Sequence, residues 1–193
     1  MSSNPLDRVR AWFDEAVAEG LFEPDAMALA TASPDGSPSV RIVLLKGIDD
    51  RGLRFFTNYG SRKGRELEQN PRAAVTIHWA TMHRAVRAEG AVERLSAEES
   101  DAYFASRGRG SQLGAWASKQ GTPITGREVL EGALAEAETR FSGDDVPRPE
   151  YWGGYRLVPD AIELWQGREN RLHDRVHWIR EPGGGWRSER LSP

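Results

Sequence analysis

The stretch AMALATASPDGSPSVRIVLLKG, residues 26–47, decides the architecture. AMALATAS (26–33) and SVRIVLLKG (39–47) read as strands, and PDGS at 34–37 has the composition of a tight turn between them. The texture continues downstream. LRFFTN (53–58), AAVTIHW (73–79) and RAVRAEGAVERL (84–95) read as further strands, with DDRG at 49–52 as a second turn. Strands repeating at roughly ten-residue spacing predict a meander that closes as a small barrel or sandwich.

Helices flank this core. Asn4-Pro5 pairs a cap with a first-turn proline, Leu6, Val9, Phe13 and Val17 recur on one helical face, and Gly20 ends the run. Ser96 and Glu99 form a capping box ahead of the segment bearing Tyr103. A further helix runs through REVLEGALAEAETRF, and strand texture returns in YWGGYRLVPDAIELWQG, RVHWIRE and WRSERL. The expectation is a single α+β domain over residues 1–193, built on an antiparallel barrel. Its N-terminal helix covers about 5–19, its barrel strands about 26–95, its peripheral helices about 97–107 and 126–141, and its C-terminal strands about 154–191.

Composition narrows the chemistry. At 38% hydrophobic and 28% charged residues the chain is ordinary for a folded domain and too apolar for wholesale disorder. A formal charge of −3 gives no general attraction to nucleic acid or an anionic membrane, so any anion site must be a local cluster of cations. Without cysteine, thiolate catalysis and zinc–thiolate sites are excluded. The histidines at 78, 83, 173 and 177 lack metal-ligand spacing. No P-loop, dinucleotide fingerprint or nucleophile elbow occurs. No leader-like or membrane-spanning apolar run is present either, which points to a soluble, cytoplasmic protein.

Four clusters could carry function. In RIVLLKG (41–47), Arg41 and Lys46 bracket an apolar run at a spacing that puts them on opposite faces of a regular strand. Either one of them reaches a ligand from a strand end or bulge, or both are snorkelling strand-end cations. In NYGSRKGRELEQNP (58–71), Ser61 caps a short helix whose first turn holds Arg62 and Lys63. Cations there oppose the helix dipole, unless an anion such as phosphate sits on the free N–H groups. Tyr103, Arg107 and Ser111 lie at spacings of four, and each can donate to an oxyanion. Gly108 and Gly110 are expected to end the helix, leaving Ser111 in a loop. Gln120 and Trp165 offer amide and aromatic contacts suited to a flat heterocycle, though both residue types also serve as ordinary core or surface. In WQGRENRLHDR (165–175), an extended chain would place Glu169, Arg171, His173 and Arg175 on one face. Such a row of cations is either a solvated edge, countered by Glu169 and Asp174, or faces something negative or planar.

Taken together, RIVLLK, TNYGSRKGRELEQNPR, SQLGAWASKQ, YWGGYR, WQG and RLHDR resemble, in order and spacing, the pyridoxamine 5′-phosphate oxidases of the FMN-binding split-barrel fold. The resemblance spans nearly the whole chain. It implies a homodimer with FMN at the interface, bounded by Arg41, Ile42, Val43, Leu44, Leu45, Lys46, Phe56, Thr57, Arg62, Lys63, Gln120, Trp165 and Arg175. Arg62 and Lys63 would hold the FMN phosphate. Lys46, Tyr103, Arg107 and Ser111 would hold the phosphate of a vitamin B6 substrate, with Arg171, Leu172 and His173 over its pyridine ring. Arg171 and His173 are the implied catalytic pair. The implied reaction oxidises pyridoxine or pyridoxamine 5′-phosphate to pyridoxal 5′-phosphate, with O2 as acceptor and H2O2 released. A flavin oxidase diverted to another substrate, of the phenazine-pathway type, and a non-catalytic FMN or pyridoxal-phosphate carrier are the alternatives. Two departures from the family pattern stand out. Ala85 replaces a glutamine that usually reaches the flavin, and the sequence opens just before the first helix, where relatives commonly carry a substrate-covering extension.

Overall fold

The computed structural model describes residues 4–143 and 145–193. Its strands are β1 (Ala26–Ala32), β2 (Pro38–Leu44), β3 (Gly47–Ile48), β4 (Leu53–Asn58), β5 (Arg72–Trp79), β6 (Arg84–Arg94), β7 (Trp152–Gln166), β8 (Asp174–Arg180) and β9 (Trp186–Arg190). The helices are α1 (Pro5–Ala18), α2 (Arg62–Gln69), α3 (Ala97–Ser106), α4 (Arg109–Ala117) and α5 (Arg127–Arg140). All strand pairings among the described residues are antiparallel, in the order β2-β1-β5-β6-β7-β4-β3, with β8 and β9 continuing from β7.

That order corrects the simple meander. β4 pairs with β7, nearly a hundred residues away in the chain, instead of with β5. The reason lies in closure. Lys46 N–H, just past β2 at one end of the strand order, donates to the Arg54 carbonyl on β4 near the other end, so the sheet curls back on itself. Alternation along β1, β5 and β6 sends Met27, Leu29, Val75, Ile77, Val86 and Ala88 inward, where they meet Phe55, Leu157 and Ile162. α1 covers one end of this core with Leu6 and Val9, and Arg10 fastens it by donating to the Ile48 carbonyl.

A second, smaller core forms where α3, α4 and α5 meet β7, from Phe104, Leu113, Ala137, Phe141, Val146 and Trp152. α4 was not expected. α3 ends at Ser106 with Arg107 as its C-cap, as expected ahead of Gly108, but Gly108 then acts as the N-cap of a new helix, so Ser111 lies inside α4 and not in a loop. The local caps at Asn4, Ser61 and Ser96 form as their sequences require.

Residues 165–175 also depart from the extended reading. β7 ends at Gln166, a single 3-10 turn follows at Glu169–Arg171, and β8 begins at Asp174. Asn170 (φ 56°) and Arg171 (φ 62°) are both left-handed, so the even alternation of Glu169, Arg171, His173 and Arg175 does not exist.

Candidate active site

Beside the smaller core lies a cavity of about 400 Å³, lined by Leu44, Lys46, Phe56, Thr57, Asn58, Tyr103, Arg107, Ser111, Gly114, Ala115, Ser118, Gln120 and Trp152. All four residues expected at a substrate phosphate meet here. α3 delivers Tyr103 and, at its C-cap, Arg107, α4 delivers Ser111, and Lys46 enters from the break between β2 and β3. That break resolves the opposed spacing of Arg41 and Lys46, because the regular strand stops at Leu44.

The walls are aromatic. Phe56 and Tyr103 stack at 3.8 Å between ring centroids, and Trp152 lies 5.6 Å from Phe56. Arg107 rests over Trp152, its guanidinium carbon 4.7 Å from the ring centroid. Its Nη1 is buried without a hydrogen-bond partner, and burial lowers its pKa from the usual arginine value. A desolvated guanidinium nitrogen beside a cavity is an uncompensated cost unless an anion enters. Lys46 is held by a 2.6 Å ion pair with Asp25.

Adjoining the cavity, the ammonium of Lys63 donates to Thr57 Oγ1 (3.1 Å), Ser61 Oγ (3.2 Å) and Gln120 Oε1 (3.1 Å), all neutral oxygens. Burial, reinforced by the charge of Arg41, lowers its pKa from 10.5 to about 8. α2 can dock this closely because residue 64 is glycine: a Cβ there would lie 2.1 Å from the Tyr59 carbonyl oxygen. The buried ammonium without a carboxylate partner and the orphaned Arg107 nitrogen both suit phosphate groups, so the residues present fit a phosphorylated flavin and a phosphorylated substrate.

Arg62 and Arg41 take a different arrangement. Both donate to Glu66, which also accepts from Thr31 and Ser39. Burial alone would raise the Glu66 carboxyl, but the hydrogen bonds from Ser39, Thr31 and Arg62 outweigh it and hold the pKa at about 2. Glu66 was missed in the sequence, although its position four residues after Arg62 on one helix face was the available signal. Of the apolar residues on β2 and beyond, Val43 and Leu45 point into the core, while Ile42 and Leu44 are exposed. Val43 and Leu45 can therefore offer a flavin only backbone atoms.

Trp165, Arg171, Leu172, His173 and Arg175 do not line this cavity within one chain. Trp165 and His173 are in ring contact at 4.7 Å, and the Arg168 backbone N–H donates to His173 Nδ1. Arg175 makes two hydrogen bonds to Glu163, which Arg87 also engages. Ala85 pairs with Trp165 across the β6–β7 ladder.

The PhzG crystal structure from Burkholderia lata, in complex with tetrahydrophenazine-1-carboxylic acid, superposes with a TM-score of 0.94 at 33% identity, covering 100% of this chain and 94% of that one. An FMN-binding protein from Nostoc punctiforme, described as related to pyridoxamine 5′-phosphate oxidase, shares the fold at 21% identity (TM-score 0.79, covering 95% and 96% of the two chains). The pyridoxine/pyridoxamine 5′-phosphate oxidase of Rubrobacter xylanophilus is 60% identical over 98% of this chain and 87% of its own length. That of Cupriavidus taiwanensis is 58% identical over 100% of this chain and 91% of its own. Residues 13–141 match the family model for pyridoxamine 5′-phosphate oxidase, and residues 152–193 match the pyridoxine 5′-phosphate oxidase C-terminal dimerisation region. With both regions present in order over the same split barrel, the chain belongs to the pyridoxamine 5′-phosphate oxidase family.

Proposed function

We propose that this chain is an oxidase that converts pyridoxine or pyridoxamine 5′-phosphate to pyridoxal 5′-phosphate, passing two electrons to O2 and releasing H2O2. The observation that carries this reading is the buried, unpartnered Arg107 nitrogen beside a cavity shared with Lys46, Tyr103 and Ser111. Four donors around one aromatic-walled space suit a planar ring bearing a phosphate.

FMN is the cofactor of the family, and when bound it supplies the two-electron chemistry at the substrate's C4′ carbon. Lys63 and Arg62 would hold its phosphate, with Thr57 and Gln120 orienting the Lys63 ammonium. The chain's own part is positioning. Arg107, Lys46, Tyr103 and Ser111 fix the substrate phosphate, and the Phe56–Tyr103–Trp152 wall offers flat apolar surface to its ring. The amine substrate consumes one water and releases ammonia, whereas the alcohol does not. Arg171 and His173 would then come from the partner chain of a homodimer, an assembly supported by the dimerisation-region match. Because His173 Nδ1 accepts from the Arg168 backbone, a neutral imidazole there carries its hydrogen on Nε2. His173 would thus present a donor to the substrate.

The likeness to PhzG supports a second reading, a flavin oxidase acting on a phenazine precursor. Anaerobic addition of pyridoxine 5′-phosphate to the yellow protein separates the two. Bleaching, followed by recovery of colour in air with formation of pyridoxal 5′-phosphate, is expected. Bleaching only with a tetrahydrophenazine carboxylate would transfer the assignment to the second reading, and bleaching with neither would indicate an oxidase of another substrate or a carrier.

Lys63 gives the flavin site a pH dependence of defined sign. In the flavin-free protein it loses its proton near pH 8. A bound phosphate stabilises the charged form, so above that pH binding must take up a proton. FMN affinity is expected to fall by about tenfold per pH unit above roughly pH 8, whereas riboflavin, lacking phosphate, shows no such slope. Flavin fluorescence titrations across this range check it.

A further inference from the structure

The carboxylate of Glu66 is the least expected group near the proposed flavin phosphate site. A negative charge beside an anion site is unfavourable unless it does something else. Its side chain is 7% exposed. It accepts hydrogen bonds from four side chains on three elements: Thr31 on β1, Ser39 and Arg41 on β2, and Arg62 on its own helix α2. Ser39 adds a second link, because its hydroxyl also accepts from Arg41. Arg41 in turn donates to Thr31 Oγ1 and to the Leu29 carbonyl. The result is a closed network that fixes two arginines relative to the N-terminus of α2, where Lys63 sits. Arg41 is close enough to Lys63 for its charge to be felt there.

Counting charges shows what the network achieves. Arg41, Arg62 and Lys63 contribute three positive charges and Glu66 one negative, leaving two. A phosphate monoester carries about −1.5 to −2 near neutral pH, so the cluster is matched to a single terminal phosphate. Without Glu66, two long flexible cations would need ordering at the moment of binding, at an entropic cost.

We propose that Glu66 is a positioning residue for the flavin phosphate: it holds Arg41 and Arg62 in place and thereby sets the preference of the site for FMN over unphosphorylated riboflavin. This rests on the reading that the cluster receives the FMN phosphate. The test is fluorescence titration of the full chain, freed of flavin, with FMN and with riboflavin. Glu66→Gln keeps the shape but cannot accept all four donors, and it raises the net charge by one. If Glu66 positions the arginines, FMN binding weakens by about tenfold while riboflavin binding is unchanged. If the charge alone mattered, FMN would bind more tightly, which overturns the proposal. An equal loss for both flavins, the mark of a merely structural role, also overturns it. Ser39→Ala, which removes one link from Glu66 and one from Arg41, is expected to weaken FMN selectively by about threefold and carries the test should Glu66→Gln fail to fold. The wild-type protein tests the underlying reading separately: equal affinity for FMN and riboflavin there would remove the phosphate site itself.

Discussion

Replacing Arg107 with alanine is expected to lower kcat/KM for pyridoxine 5′-phosphate by about 100-fold, through KM more than kcat, and to leave FMN bound. The guanidinium is held over Trp152, with Phe104 also beneath it at 5.5 Å, so it is fixed before any ligand arrives. Its Nη1 nitrogen has given up water and found no partner. That deficit is recovered only when an anion is bound. Truncating one side of a desolvated charge pair costs about 2–5 kcal/mol, and a value near 3 kcal/mol corresponds to the stated factor. Steady-state kinetics with pyridoxine 5′-phosphate and with unphosphorylated pyridoxine provide the check. The variant should discriminate between them far less than the parent does. An equal loss on both substrates would mean that Arg107 braces α3 against β7 and does not grip a phosphate.

How much of this site could be read in the sequence depends on how local each interaction is. The caps at Asn4, Ser61 and Ser96 need only a few adjacent residues, and each forms as written. Tyr103, Arg107 and Ser111 were legible as oxyanion donors because they recur at spacings of four, whereas Lys46 joined them only through the family resemblance; the cavity gathers all four. Long-range pairing was not legible in this way. Nothing in LRFFTN names its neighbour, and only closure of the barrel selects β7 over β5. The end of α3 before Gly108 was legible, but a second helix opening at once from Gly108 was not, because glycine marks a break without saying whether a loop or another helix follows. The 165–175 segment misled through its backbone. Asn170 and Arg171 adopt left-handed conformations that arginine seldom takes, and the reading as a strand assumed an ordinary backbone. Glu66 was overlooked because its partners Thr31 and Ser39 lie 35 and 27 residues away.

Arg171→Ala is expected to abolish most turnover while leaving flavin in place, and its behaviour in mixed dimers bears on how the site is assembled. Within one chain Arg171 and His173 sit on the turn between β7 and β8, outside the cavity that holds Arg107. If both arginines serve one substrate, they come from different subunits. A two-fold interface repeats every contact, so each dimer would hold two such composite sites. Neither Arg107→Ala nor Arg171→Ala homodimers would then contain an intact site. A heterodimer of the two would contain one wild-type site and one doubly defective site. Random mixing makes half of all dimers heterodimers, so unfolding and refolding an equal mixture should restore about one quarter of wild-type activity. Sites built within single chains would restore none. Loss of FMN from Arg171→Ala, with full turnover when FMN is resupplied, would instead make Arg171 a flavin contact. Its left-handed backbone, a conformation costing about 1–3 kcal/mol, shows a turn that the surrounding fold holds in place, and flavin retention decides which ligand the side chain serves.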